Sequence, residues 1–121
     1  MDALAKMIGI MFMSRTFAHM AHLAITGAGS YAGHKALNEF YDGLVDLADD
    51  FAEASQGEYG ILDVPYMDLK GDINSPVDGL ANHLMMLENL SKKCDDDYLL
   101  NIFQEVQKLY RSTMYKLKHL Q

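Results

Sequence analysis

Five residues between His22 and Glu53 carry donor atoms at spacings that suit a metal ion. His22 precedes a glycine-rich turn, Gly27-Ala28-Gly29-Ser30, and His34, Asn38, Asp49 and Glu53 follow it. Imidazole nitrogens are borderline donors and carboxylate oxygens are hard ones, a mixture that suits first-row divalent metals. Residues four apart stack on one helix face, which applies to His34 with Asn38 and to Asp49 with Glu53. Eleven residues separate Asn38 from Asp49, very nearly three full turns. On a continuous helix all four therefore share one side.

That side flanks an apolar stripe made by Leu37, Phe40, Leu44, Leu47, Ala48 and Phe51, which recur at three- and four-residue steps. A polar cluster beside a core face is where a second subunit or a metal would meet the helix. Taken singly, each residue has a plainer role. A lone His on a helix flank is more often a hydrogen-bonded surface residue, and Asp49 with Glu53 would be an ordinary solvated face. Only the joint spacing points to metal. His19 reads as polar surface or interface, and the methionines Met7, Met11, Met13, Met85 and Met86 as adaptable packing.

Four amphipathic segments must position these residues. The spacing of Leu4, Met7, Ile8, Met11, Met20 and Leu23 predicts a first helix over Ala3–Thr26, stopped by Gly27. Ile10 and Met13 widen its apolar arc, which implies contact on two sides, the core and a partner subunit. A second helix is expected over Ser30–Ser55, capped by Ser30 and ended by Gly57. Ser75-Pro76-Val77-Asp78 opens a third helix to Lys93, with Val77, Leu80, Leu84, Met85 and Leu87 inward. Asp95-Asp96-Asp97 opens a fourth, lined by Leu99, Ile102, Phe103, Val106, Leu109, Tyr110 and Leu117.

Between the second and third helices, Glu58–Asn74 contains Gly60, Pro65 and Gly71 and shows no sustained period, although Tyr66–Leu69 could form one turn. A loop this long is unusual in a compact domain unless it covers distance. The second helix measures roughly 39 Å at its helical rise, and seventeen extended residues reach roughly 56 Å. The linker can thus return along the whole bundle, so that the third helix starts where the second does. Four helices with one long crossover predict an all-α bundle of ferritin-like arrangement.

The 121 residues suit a single domain over 1–121, and half of them are hydrophobic. A net charge of −7 disfavours nucleic acid. Lys108, Arg111, Lys116 and Lys118 sit where cations complement a helix C-terminus. Cys94 is alone, which excludes an internal disulfide and favours a reducing compartment. Asp2 precedes the short apolar run Met7–Met13, and Arg15, His19 and His22 interrupt any membrane span. The expectation is a cytoplasmic protein with no membrane partner.

A site inside one ferritin-like bundle needs Glu-x-x-His on two helices, and the chain has no Glu-x-x-His. The stretch from His22 instead resembles the Dps-like mini-ferritins. Their signature runs His, Gly five on, a second His twelve after the first, an acid four later, an Asp fifteen after the second His and a Glu four beyond it. Here those positions hold His22, Gly27, His34, Asn38, Asp49 and Glu53, and Tyr41 falls at a frequent aromatic position. Two departures are visible: Asn38 replaces the acid, and Leu23 stands where an aromatic usually follows the first His. The match covers about a quarter of the chain, and the helix plan extends it.

The resemblance implies an iron site shared between two subunits. Asp49 and Glu53 would bridge or chelate iron, His22 of the two-fold mate would complete the position, and His34 with Asn38 would hold a weaker second one. It implies a homodimer or a larger shell in which Fe(II) is oxidised by peroxide or oxygen and sequestered, with Asp42, Asp46 and Asp50 drawing iron in. The competing expectation is a non-enzymatic relative of the same bundle, a binding, regulatory or structural protein of phage origin with a protein partner unknown from sequence. Asn38 and the short chain favour this second expectation; His22, His34, Asp49 and Glu53 favour the first.

Overall fold

The computed structural model describes residues 2–120, and among them every regular element is a helix. The helices are α1 (Asp2–Ala24), α2 (Ser30–Tyr59), α3 (Pro76–Ser91) and α4 (Asp97–His119). Each packs on two neighbours, in the cyclic order α1, α2, α4, α3. The chain is a four-helix bundle. None of its helices is long and apolar enough to cross a membrane.

Glycines with positive φ set the two ends of α2. Gly27 (φ 93°) and Gly29 (φ 77°) fold α1 back on α2, and Gly60 (φ 87°) ends α2 with its N–H on the Gln56 carbonyl. Such angles are strained for any side chain with a Cβ. Two expected signals are displaced. Gly29, not Ser30, is the N-cap of α2. Gly57 lies inside the helix, which continues to Tyr59, whose hydroxyl bonds the Asp96 carboxylate at the start of α4. Ser75 is the N-cap of α3 as expected, but its side chain makes no capping bond.

Contacts between the helices fix their directions. Tyr59 meets Asp96, while Lys116 is ion-paired with Glu39 at 3.2 Å, so α4 runs antiparallel to α2. Ile25, Thr26, Pro76, Val77 and Leu117 line one cleft, which puts the start of α3 at the start of α2. Residues 60–75 therefore travel the length of the bundle, the path expected from their number.

This crossover is a packed strap. Leu62, Met67, Leu69 and Ile73 are half-buried against the core, whereas Tyr66 is 99 % exposed. Inward Met67 and Leu69 alternate with outward Tyr66, Asp68 and Lys70, the period of an extended chain, and the expected turn at Tyr66–Leu69 does not form. Close approach is possible because α1 has no side chain at Gly9: a Cβ there would lie 2.5 Å from the Pro65 carbonyl oxygen. The strap covers the second apolar side of α1, where Ile10 is fully buried. The wide arc expected to meet a partner subunit is thus met, over much of its length, within the chain.

The core follows the predicted stripes. Leu37, Phe40, Leu44, Ala48 and Phe51 of α2 meet Leu99, Phe103, Val106 and Tyr110 of α4, with Leu4, Met7, Ile8 and Met11 of α1 and Leu80, Leu84 and Leu87 of α3. Three expected core residues lie outside: Met85 is 64 % exposed, and Met20 and Leu23 are exposed near the end of α1. Met85 follows Leu84 by one hundred degrees of rotation, which carries it off the buried face.

Candidate metal centre at the α1–α2 face

The tight turn after α1 brings His22 and His34 together. Their rings stack with centroids 3.6 Å apart and planes at 24°. His22 Nδ1 bonds the His34 carbonyl at 2.8 Å, and His34 Nδ1 bonds the His22 carbonyl at 3.1 Å. A carbonyl only accepts, so both Nδ1 atoms carry the proton and donate. The neutral tautomer then leaves each Nε2 with its lone pair, the arrangement that a backbone acceptor imposes on metal-binding histidines. The His22 carbonyl lies in the last turn of α1, where carbonyls lack helical partners, so His34 also serves as a cap. His22 is buried and His34 is exposed.

Aromatic and amide groups continue the cluster. His19 stacks on Tyr41 at 4.2 Å, and its ring lies 5.9 Å from that of His22. Tyr41 donates its hydroxyl to Asn38 Oδ1 at 2.6 Å, and Asn38 Nδ2 donates to Asp42 at 3.2 Å. The orientation of the amide follows from its partners: reversing it would aim its oxygen at the Asp42 carboxylate. The oxygen that Asn38 could offer a metal is already engaged. Helical spacing puts Tyr41 three residues after Asn38 and Asp42 four, within reach of it, and the rotamers decide that the bonds form.

Asp49 and Glu53 lie apart from the histidines. Both are exposed, one turn from each other, and neither has a hydrogen-bond or ion-pair partner among the described residues. Fifteen residues of α2 separate Asp49 from His34, roughly 22 Å along the axis. One chain therefore presents two half-sets on the same helix face. Among the described residues no group of three or more His, Cys, Asp or Glu side chains converges on a point where a metal could sit.

Elsewhere two acidic groups are engaged for structural ends. Burial would raise the Glu88 carboxyl, but hydrogen bonds from Arg111 and Gln107 outweigh it and hold it below its ordinary range. The Tyr59 phenol is pushed up to about 12, chiefly by its bond to Asp96. His83 shares the apolar face of α3 with Leu80, Leu84 and Leu87, is buried in the core and is bonded to Ser14.

The fold and the two half-sets define the class: an all-helical four-helix bundle with a crossover strap and donor groups on its α1–α2 face. A family model described as a family of unknown function, DUF5856, matches residues 22–117, and the chain belongs to that family. Comparison with curated proteins and with solved structures finds no match.

Proposed function

We propose that the chain is a ferritin-like, Dps-like mini-ferritin that binds Fe(II) between two copies, oxidises it and sequesters the product. The observation that carries this is the reciprocal His22–His34 clasp, which leaves two Nε2 lone pairs beside a helix whose far end holds two unpartnered carboxylates. An antiparallel α2 of a second copy, crossing at residues 43–44, sets His34 opposite Glu53 and Asn38 opposite Asp49. That crossing unites the half-sets twice, once on each side of the two-fold axis. Each Fe(II) gives up one electron. Peroxide accepts two, takes two protons and leaves as two waters. Cytoplasmic Fe(II) and an unpaired Cys94 suit one reducing compartment.

A second reading is a binding or structural bundle, of phage origin, that keeps the dimer without the chemistry. The engaged amide of Asn38 favours it, because a neutral group held by Tyr41 and Asp42 is a poor iron ligand. Anaerobic loading with Fe(II), followed by measurement of iron per subunit and of sedimentation, tests the two. Stoichiometric iron in a dimer or larger assembly supports the mini-ferritin. A dimer without iron supports the second reading, and a monomer without iron defeats both. Protons compete for the ligands, so iron binding is expected to weaken as the pH is lowered.

A further inference from the structure

His83 stands at the junction of three elements. Its Nδ1 shares a hydrogen bond with Ser14 Oγ of α1 at 2.8 Å, and in either tautomer Nε2 has no partner. Phe17 of α1 meets the imidazole edge-on, with centroids 5.0 Å apart and planes at 79°. The Phe17 ring in turn fills the space between the strap and α3. A Cβ added at Gly71 would lie 3.1 Å from that ring, and one at Gly79 would run into it. One aromatic pair thus holds α1, the strap and α3 together.

Nothing around His83 would welcome a charge. From α1 it faces the Ser14 hydroxyl and the Phe17 ring. Across the core from α4, burial pushes the Tyr110 phenol above its ordinary range, with the Ser14 hydroxyl opposing, so that it stays neutral. Asp78 of α3 and Asp68, Lys70 and Asp72 of the strap are exposed, and Glu88 is engaged by Arg111 and Gln107. Burial is the sole cause that lowers His83 from 6.5 to about 4. A proton on Nε2 would make a buried cation with no acceptor.

We propose that His83 is an acid-operated latch, whose protonation releases the strap and the first half of α3 from α1 while the packing of α1, α2 and α4 persists. Parting α3 from α1 at Ser14 and Phe17 removes the two α1 groups that cover the ring and opens it to water. The strap offers little resistance, because among the described residues no backbone N–H from 63 to 73 is bonded to another backbone group. Segments held by few such bonds open first. The sign follows from the lowered value: the neutral ring favours the closed form above about pH 6.5, and that preference is lost as the pH falls toward 4. The full span corresponds to a factor of roughly 300 in the closing equilibrium.

Amide exchange on the full chain, corrected for its intrinsic pH dependence and read by mass spectrometry, tests the latch between pH 6.5 and 4. In the wild type, peptides covering 76–84 are expected to lose protection by up to roughly 80-fold over that range while those covering 40–51 hold. His83→Met should abolish the loss. Ser14→Ala combined with His83→Met should do the same and also removes the hydroxyl that the single change orphans. The proposal is overturned if either variant loses protection at the wild-type pH, or if the two wild-type segments open together in one step.

Discussion

Helix α1 has two seams, and each is built on an imidazole. In the seam with α2, His22 and His34 each place Nδ1 on a backbone carbonyl of the other, and both rings stay oriented with a second nitrogen to offer. In the seam with α3, His83 has a hydroxyl on one side and nothing on the other. The same side chain is held with a free nitrogen in one place and has to be kept neutral in the other. What the second nitrogen meets decides between them, and neither hydropathy nor helical position alone reveals it.

Substitutions can break or sharpen this contrast. The largest expected effect is at the α3 seam. Phe17→Ala removes the ring that fits between Gly71 and Gly79, and a loss of about 3–5 kcal/mol is expected in chemical denaturation. A loss below about 1 kcal/mol would mean that the junction is not what holds α3 to α1. Next is Gly79→Ala, which drives a methyl into the same ring and should cost about 1–3 kcal/mol. Gly57→Ala is its control: the added Cβ on α2 meets open space, and a gain of up to about 1 kcal/mol is expected in thermal melts.

The α2 seam should respond in binding more than in stability. Under the mini-ferritin reading, Glu53→Gln should weaken Fe(II) binding by roughly tenfold or more with the far-ultraviolet circular dichroism unchanged, because the side chain is exposed. Unchanged iron affinity would remove Glu53 from the site. Asn38→Asp should strengthen binding and speed oxidation in the same assays. The smallest effect is expected from Tyr41→Phe, which deletes the bond to Asn38 and should cost about 1 kcal/mol. It also frees the amide oxygen, so a rise in iron affinity would show that Tyr41 had been competing for it.

Much of the bundle was legible because apolar residues recur at helical spacing. Leu37, Phe40, Leu44 and Phe51, and Leu99, Phe103, Val106 and Tyr110, all lie where their periods put them. The crossover was legible from length alone, since seventeen residues between helices need somewhere to go. The strap's own pattern was harder to read: Gly60, Pro65 and Gly71 interrupt it, and Met67 with Leu69 is too short an alternation to stand out. His83 fell on an apolar face, where residue type does not say whether a nitrogen will find a partner. Of the candidate metal ligands, helical spacing put His34, Asn38, Asp49 and Glu53 on one side of the second helix, and the structure adds that His34 is clasped to His22 across the turn. Spacing could not reveal that Asn38 is tied to Tyr41 and Asp42, because those bonds depend on rotamers rather than on register.

The length of the strap has a further consequence for the order of assembly. Helices α1 and α2 are joined by residues 25–29 and can dock almost as soon as they form. Helix α3 must wait for sixteen residues to be laid back along α1, and closing a longer loop carries a larger entropic cost. We therefore expect the α1–α2 hairpin to form in the folding transition state and α3 to dock late. Leu37→Ala should mainly slow folding, whereas Leu80→Ala should mainly speed unfolding, as read in stopped-flow chevrons. The histidine clasp would then be among the first tertiary contacts made, and the Phe17 junction among the last.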